Sequence, residues 1–464
     1  MLTKKVYLVT DLGYGDAGKG SIVDYLVRQK GAHTVLKYNG VAQAAHNVVT
    51  PDGRHYTFSH FGSGSFVPGT RTYISQFALV HPYRMCEEEE ALRKVGVTDA
   101  FKRMFVDGQT ILISPYEQAA NRLKEIARGG GRHGSCGMGV GETMSDSLEH
   151  PEVVLKAVDA FDKRAVRRKL YKLRDLKWSQ LEKIVRNLPD NEQARFEVGL
   201  FEDMSLVDRI ADYFFSWAEV IQIVDPTFAR KMFDQPGVLV AEGSQGVLLD
   251  EWFGFFPYNT WTTLTTLNAE TLMNFYHYDG ERIRLGLLRG YGTRHGAGPF
   301  VTEDAGLTGQ MQDYHNSNNP WQREFRVGYP DLVAAKYGVA VTGALNGLVV
   351  TNLDRMRVVP DWKICKAYSY SGGRREMLPE FFNNQGNTIT GIKLPTIQQY
   401  KDLEAMQVRT SMLEDCSPIY EQLGTDVVAK SIEYAHLLAD ELQVPLAITS
   451  CGPSSVDKIN HLDI

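Results

Sequence analysis

The stretch Val6-Tyr-Leu-Val-Thr10, with Gly13-Tyr-Gly-Asp-Ala-Gly-Lys-Gly20 close behind it, decides how this chain is read. The first segment is an apolar run of strand length and the second a glycine-rich turn. After it, Ile22, Val23, Leu26 and Val27 recur at helical spacing, and Gly31 stands where that helix ends. Strand, glycine loop and helix in succession indicate an α/β nucleotide-binding protein. Gly13-x₄-Gly18-Lys19 meets most of a phosphate-loop pattern, in which backbone N–H groups and a lysine cradle phosphate oxygens. Gly20, however, stands where Ser or Thr usually holds magnesium. Asp16 inside the loop is a second departure, because a carboxylate beside a polyphosphate repels it unless a cation or a proton-transfer task offsets the charge. The plainer alternative is a glycine-rich turn with a surface aspartate.

Outward from this loop, buried-strand candidates recur at 238–241, 347–351 and 445–449, each running into polar or glycine-rich residues. Ligands of open α/β sheets gather at the carboxyl ends of strands, so these four exits are where the chemistry is expected. Helical stretches are expected within 151–196, at 200–222 and at 426–443. The Glu87–Glu90 run and the basic 163–177 stretch read as solvated helix faces. Residues 308–322 read as a polar loop and 366–395 as a surface excursion, so the chain is taken as one domain, 1–464, with two insertions.

The 464 residues, 43% hydrophobic and 23% charged, have the composition of an ordinary globular protein. A formal net charge of −6 argues against nucleic acid or an anionic membrane as the main partner, without excluding a local basic pocket. Five scattered cysteines form no C-x-x-C pair, which implies neither a disulfide framework nor a zinc site and suits a reducing compartment. The first residues do not read as a signal peptide, and no apolar run approaches a membrane span. A cytoplasmic location is expected.

Four further segments carry chemistry. Lys37-Tyr-Asn-Gly-Val-Ala-Gln-Ala-Ala-His46 ends on a histidine that, taken alone, reads as a satisfied core residue. Ala241-Glu-Gly-Ser-Gln-Gly-Val-Leu-Leu-Asp250 is a strand exit with a buried-looking amide. Gly290 to Glu303 is too rich in glycine for a helix and places Arg294 in a flexible, anion-friendly loop. Thr351-Asn-Leu-Asp354 follows a strand, a good position for a carboxylate that accepts from guanine N1 and N2, and Ser450-Cys-Gly-Pro453 is another tight turn after a strand.

In this order the segments resemble the adenylosuccinate synthetase family from one end of the chain to the other. The family's Gly-Asp-Glu-Gly-Lys-Gly loop is matched by Gly15 to Gly20, its Asn-Ala-Gly-His by Gln43 to His46, and its Glu-Gly-Ala-Gln-Gly-x-Leu-Leu-Asp by Glu242 to Asp250. Thr-Arg-x-Gly-x-Gly-Pro-Phe-x-Thr-Glu is matched by Thr293 to Glu303, Lys-Leu-Asp by Asn352 to Asp354, and Ser-Thr-Gly-Pro by Ser450 to Pro453. The resemblance implies a large, mostly parallel central sheet flanked by helices, with a phosphate-loop-like GTP site. It implies a ligase that phosphorylates the 6-oxygen of IMP with GTP and adds the amine of L-aspartate, giving adenylosuccinate, GDP and phosphate.

Carried over by position, Asp16 is the general base and a Mg²⁺ ligand, with the Ala45 carbonyl beside it in the metal shell. Lys19, Gly15, Gly18 and Gly20 hold phosphates, His46 stabilises the transferring phosphoryl group, and Gln245 orients the purine. Asn352, Asp354, Ser450, Gly452 and Pro453 contact the GTP base. Gln43, Ser135, Cys136, Thr260, Arg294, Arg323 and Arg326 fall on the substrate side. A homodimer is expected from the resemblance.

The pattern departs at Ala17, Gln43 and Asn352, and at Gly134-Ser-Cys-Gly-Met-Gly139, where Cys136 replaces a hydroxyl. A cross-subunit arginine has no counterpart, although His150 lies nearby. The family's aspartate loop Thr-Thr-Gly-Arg-x-Arg-Arg-x-Gly-Trp aligns with Pro320-Trp-Gln-Arg-Glu-Phe-Arg-Val-Gly-Tyr329, keeping Arg323 and Arg326 but losing two threonines and an arginine. These changes leave two alternatives open: a relative acting on another purine (deoxy)nucleotide or another amine, and a non-catalytic nucleotide-binding relative.

Overall fold

Tyr7 and Val9 of the first strand pack into one apolar cluster and Val6 and Leu8 into another, so this strand is buried on both faces. A continuous apolar run of this kind belongs to a parallel sheet covered by helices on both sides. The computed structural model describes residues 3–40, 42–132, 134–311, 321, 324–358, 361–424 and 430–464.

In chain order the central sheet comprises β1 (Lys4–Asp11), β2 (Thr34–Lys37), β3 (Arg71–Ile74), β4 (Met104–Asp107) and β5 (Gln222–Val224), then β6 (Gly237–Gly246), β7 (Glu281–Arg289), β8 (Gly347–Thr351), β9 (Leu446–Ser450) and β10 (Lys458–Asn460). The spatial order is β5-β4-β3-β2-β6-β1-β7-β8-β9-β10. Neighbours pair in parallel except β9 with β10, which closes the edge antiparallel. Thus β1 runs in mid-sheet between β6 and β7, and the loop that follows it emerges at the centre of the carboxyl edge. Helix α1 (Lys19–Lys30) covers one face through Ile22, Val23 and Leu26. Helices Pro226–Asp234 and Leu267–Phe275 cover the other through Met232, Phe233, Leu272 and Met273. Each large apolar side chain taken out of water stabilises the fold by about 1.5–3 kcal/mol.

The four strands expected from sequence are all present: β1 and β6 are longer than expected, β8 has the expected bounds, and β9 is shifted by one residue. The expected helical stretches are present with different bounds. Within and just beyond 151–196, a 3₁₀ turn precedes helix Lys163–Val185, and Asn191 caps a separate helix Glu192–Glu202. The expected 200–222 helix is Leu206–Val220 and the expected 426–443 helix is Ser431–Leu442, with 425–429 outside the described residues. Neither charge run is simply solvated. Glu88 is 6% exposed and accepts from the backbone N–H groups of Ser59, His60 and Phe61. Lys177 is 1% exposed and pairs with Glu142 and Asp146. A buried charge persists where neighbouring elements supply its partner, which a linear charge run does not reveal.

The 366–395 stretch carries regular structure. Strand Trp362–Tyr370 lies in a four-stranded sheet with Phe382–Gln385, Thr388–Ile392 and Cys416–Gly424. Tyr368, Tyr370, Phe381 and Ile389 bury one of its faces against helix Leu332–Thr342. Of 308–322, residues 308–310 close helix Ala305–Gln310, Trp321 is buried, and 312–320 and 322 lie outside the described residues. Among the described residues no helix is long and apolar enough to cross a membrane.

Candidate active site

The β1–α1 loop wraps around a carboxylate of its own. Asp11, the last residue of β1, accepts from the N–H of Gly13 through Oδ1 at 2.9 Å, and from the N–H of Ala17 through Oδ2 at 2.9 Å. Lys19 Nζ stands 2.8 Å from Oδ2, with the two side chains 2% and 0% exposed. Burial alone would raise the Asp11 pKa; Lys19 and the two loop N–H groups outweigh it and hold the carboxyl below its ordinary value.

Asp16 lies near the middle of the loop with φ 61°, a left-handed conformation that few non-glycine residues adopt. Its carboxyl is raised by burial, against the opposing charges of Arg289, Lys19 and His295. A carboxylate shifted toward neutral pH suits proton abstraction.

The Gly20 departure has a steric cause. A Cβ there would fall 2.7 Å from the Asn47 carbonyl and 2.9 Å from the backbone of His46, because α1 packs directly on strand His46–Val49. Gly246 is under a similar constraint: its Cβ would lie 2.1 Å from the Gly13 carbonyl, which brings the end of β6 against the loop.

Glu242 on β6 forms the second buried charge group. It accepts from Lys37 Nζ at 3.1 Å, His46 Nδ1 at 2.5 Å and Ser63 Oγ at 2.6 Å. Burial opposes its ionisation, but Lys37 and His46 outweigh that and hold the carboxyl well below the usual range. Burial lowers the pKa of His46 and the Glu242 contact opposes the shift. The other ring nitrogen, Nε2, rests 3.1 Å from the Ser244 carbonyl.

Three expected substrate-side residues, Gln43, Thr260 and Cys136, meet Gln245 beside the loop. Gln43 Nε2 donates to Gln245 Oε1 at 3.1 Å and to Thr260 Oγ1 at 3.2 Å, and Cys136 Sγ lies 3.7 Å from Gln43 Oε1. Burial pushes the Cys136 thiol up to about 11, so it stays protonated. Ser135 turns instead to Asn121 at 3.1 Å. Ala45 is exposed.

Across the loop, Thr351 Oγ1 donates to the Ala17 carbonyl at 3.1 Å and ties the end of β8 to the loop. Asn352 follows with φ 58°, a second left-handed residue, and Asp354 lies in the 3₁₀ turn beyond it. Since β8 pairs with β9, the turn Ser450–Pro453 lies alongside. Ser450 Oγ and Lys458 Nζ both donate to the Gly452 carbonyl, at 3.1 and 2.7 Å, and Asp354 acts electrostatically on Cys451 and Lys458.

Arg294 corrects its expectation. It lies on strand Gly292–His295, not in a flexible loop, and is 1% exposed. Its guanidinium donates to the carbonyls of Ala297, Pro299 and Tyr258 and covers the Tyr14 ring at 4.1 Å. Its donors to these carbonyls and its contact with Tyr14 brace the loop from behind. Arg326 pairs with Glu303 at 2.6 Å and donates to the carbonyls of Gly296 and Gly298, keeping its side chain 16% exposed. Arg323 and Pro320 lie outside the described residues. Trp321 packs on Gly137, whose added Cβ would stand 2.8 Å from its ring, with the Arg122 guanidinium 5.4 Å away.

Sequence reasoning missed Asp11, the Lys37–Glu242 pair and Arg289. A charged residue ending an apolar strand directly before a glycine loop was a visible signal for Asp11. Lys37 and Glu242 stood inside quoted segments, but 205 positions separate them, and only the pairing of β2 with β6 joins them.

The family model for adenylosuccinate synthetase matches residues 8–459. Adenylosuccinate synthetases of Chlorobium luteolum and Acaryochloris marina are 26% and 29% identical to the chain. The first alignment covers 96% of this chain and 95% of the relative, the second 95% and 91%. The structure of fully ligated adenylosuccinate synthetase from Plasmodium falciparum superposes with a TM-score of 0.75 at 17% identity, covering 98% of this chain and 100% of that one. The cyanophage S-2L succinoaminodeoxyadenylate synthetase, bound to dGMP and dATP, superposes with a TM-score of 0.51 at 15% identity, over 99% and 95%. These two likenesses concern the fold.

Proposed function

The chain belongs to the adenylosuccinate synthetase family of C–N bond-forming ligases, and from that premise we propose that it couples IMP to L-aspartate at the expense of GTP. The observation that carries this reading is the position of the Asp16 loop. It is pressed on one side against the end of β6, beside the Gln43–Gln245–Thr260 amide cluster, and tied on the other to Thr351, ahead of Asn352 and Asp354. A purine nucleotide on the first side and a guanine nucleotide on the second would meet at Asp16.

In the first step Asp16 takes the N1 proton of IMP, and the 6-oxygen attacks the γ-phosphorus of GTP as the bond to the β–γ bridging oxygen breaks. Lys19 and the N–H groups of Gly15, Gly18 and Gly20 hold the phosphates, where fixed donors stabilise the developing charge. His46 offers Nε2 to the transferring phosphoryl group, held from behind by Glu242. Gln43, Gln245 and Thr260 orient the purine, with Ser135 and Cys136 toward its phosphate. Asp354 accepts from guanine N1 and N2, and Asn352, Ser450, Gly452 and Pro453 shape the base pocket. In the second step the aspartate amine attacks C6 and inorganic phosphate leaves. Arg323 and Arg326 receive the amino acid's carboxylates, since guanidinium matches carboxylate geometry.

Among the described residues no group of three or more His, Cys, Asp or Glu side chains is arranged to hold a metal. Magnesium commonly rests on one or two carboxylates plus substrate phosphates, so a half-buried Asp16 with the exposed Ala45 carbonyl fits that modest donor set. When bound, Mg²⁺ offsets the charge that Asp16 and the phosphates bring together. The reading extends to a cytoplasmic homodimer with the whole chain acting as one unit.

Incubation with GTP, Mg²⁺ and IMP, with and without aspartate, tests it by phosphate release and purine absorbance. Aspartate-dependent release of one phosphate per change in the purine spectrum is expected. Turnover only with a different purine or amine overturns the substrate assignment.

A further inference from the structure

A phosphate loop binds anions because several backbone N–H groups and a lysine converge on one place. Here the lysine of that set already has a carboxylate partner. The Asp11 carboxylate takes the N–H groups of Gly13 and Ala17 and the ammonium of Lys19, at 2.9, 2.9 and 2.8 Å, with no exposure to solvent. These are the donor types that a phosphate oxygen would use, and the proposed reaction assigns no task to Asp11.

We propose that Asp11, by holding Lys19 within the loop, competes with nucleotide phosphate for that lysine and weakens nucleotide binding. This rests on the reading that Lys19 holds nucleotide phosphate. A buried carboxylate needs its partners, because one left without them incurs a large desolvation cost. Asp11 therefore ties Lys19 to the loop backbone. Incoming phosphate meets a lysine whose charge is already balanced, and it brings further negative charge close to Asp11. Nucleotide must draw Lys19 at least partly away, while the Gly13 and Ala17 N–H groups go on satisfying the carboxylate. Asp11 is in this sense a positioning residue that acts through Lys19.

The test is Asp11→Asn, whose amide oxygen can still accept a loop N–H but carries no charge. Calorimetric titration is done on the full-length wild-type and variant proteins with GTP and, separately, with inorganic tripolyphosphate. At least a fivefold fall in Kd is expected for both ligands in the variant, with a lower unfolding temperature when no ligand is present. A purely structural residue would not tighten binding, so an unchanged or raised Kd in a folded variant overturns the proposal. Asp11→Ser is the second variant, with the same expectation. Failure of both to fold assigns Asp11 to structure alone and also overturns it. Lys19→Ala is titrated alongside: if it binds GTP as tightly as wild type, the underlying reading of Lys19 fails. Normal loss of affinity in Lys19→Ala with no gain in Asp11→Asn defeats the Asp11 inference only.

Discussion

Glu242 accepts from Nδ1 of His46 at 2.5 Å, with the carboxylate fully buried and the ring 6% exposed. Lys37, also fully buried, completes the group at 3.1 Å. Taking three ionisable side chains out of water is costly unless each finds a partner, so the group holds only as a unit.

Glu242→Gln therefore leaves Lys37 buried without a counter-charge, and should lower unfolding free energy by about 3–5 kcal/mol in urea denaturation at neutral pH. The folded-state pKa of Glu242 is depressed, so its contribution is fully present above about pH 4.5, the unfolded value, and declines as the pH falls below it. The gap between wild type and variant should narrow on acidification. A gap that widens contradicts the assignment.

Asp16→Asn removes the proton acceptor and should cut IMP-dependent phosphate release from GTP by about 10²–10⁴-fold. GTP binding, followed by fluorescence, should change little. Because burial raises the Asp16 pKa above 3.8, wild-type kcat/KM should rise with pH through a value higher than that of an ordinary aspartate. A variant retaining a tenth of wild-type turnover excludes Asp16 as the base.

Asp354→Asn replaces a carboxylate that matches guanine N1–H and N2–H with an amide that also offers a donor. The ratio of kcat/KM for GTP over ATP should fall about 5- to 150-fold, the equivalent of ~1–3 kcal/mol of discrimination. An unchanged ratio moves guanine selection elsewhere in the pocket.

Gln43→Ala strips Gln245 and Thr260 of their shared donor. These partly buried side chains then lose a fixed partner that orients them toward the purine, so KM for IMP should rise several-fold while KM for GTP stays within about twofold. Equal rises in both would place Gln43 outside the purine side of the site.

Glu117 supplies a prediction away from the chemistry. Burial raises its carboxyl to about 7 while it caps its helix through the Ser114 N–H. Below about pH 4.5 the folded and unfolded states are both protonated and the group is neutral to stability. As pH rises toward 7 the unfolded state ionises first, and stability declines. Glu117→Gln keeps the cap and removes the ionisation, so its advantage over wild type should grow between pH 4.5 and 7 and then level off. A constant difference across that range refutes the raised pKa.

The legibility of the site followed the range of the interactions involved. The loop from Gly13 to Gly20 and the exits of β6, β8 and β9 were visible because glycine punctuation and apolar runs are local signals. By contrast, β7 escaped notice: Glu281, Arg282 and Arg284 break its apolar run, although it lies next to β1. Arg294 looked flexible because neighbouring glycines imply mobility, whereas the Tyr14 ring and the Tyr258 carbonyl, remote in the chain, hold it together with the nearby carbonyls of Ala297 and Pro299. Glu88 and Lys177 looked solvated because a charge run states nothing about what packs on its inner face.

The amino-acid sequence by itself determined the family, the parallel α/β fold and the identity of the loop, since ordered motifs and strand-length apolar runs are written along the chain. The tertiary structure alone decided which charges meet. Asp11 with Lys19 depends on the curl of the loop, and Glu242 with Lys37 and His46 on the register of β6 against β2. Ion pairs a few ångströms long are set by through-space geometry, and that geometry exists only once the sheet has closed. The loop first read as a glycine turn with one unusual aspartate thus proves to hold two, Asp16 near its middle and Asp11 beneath it.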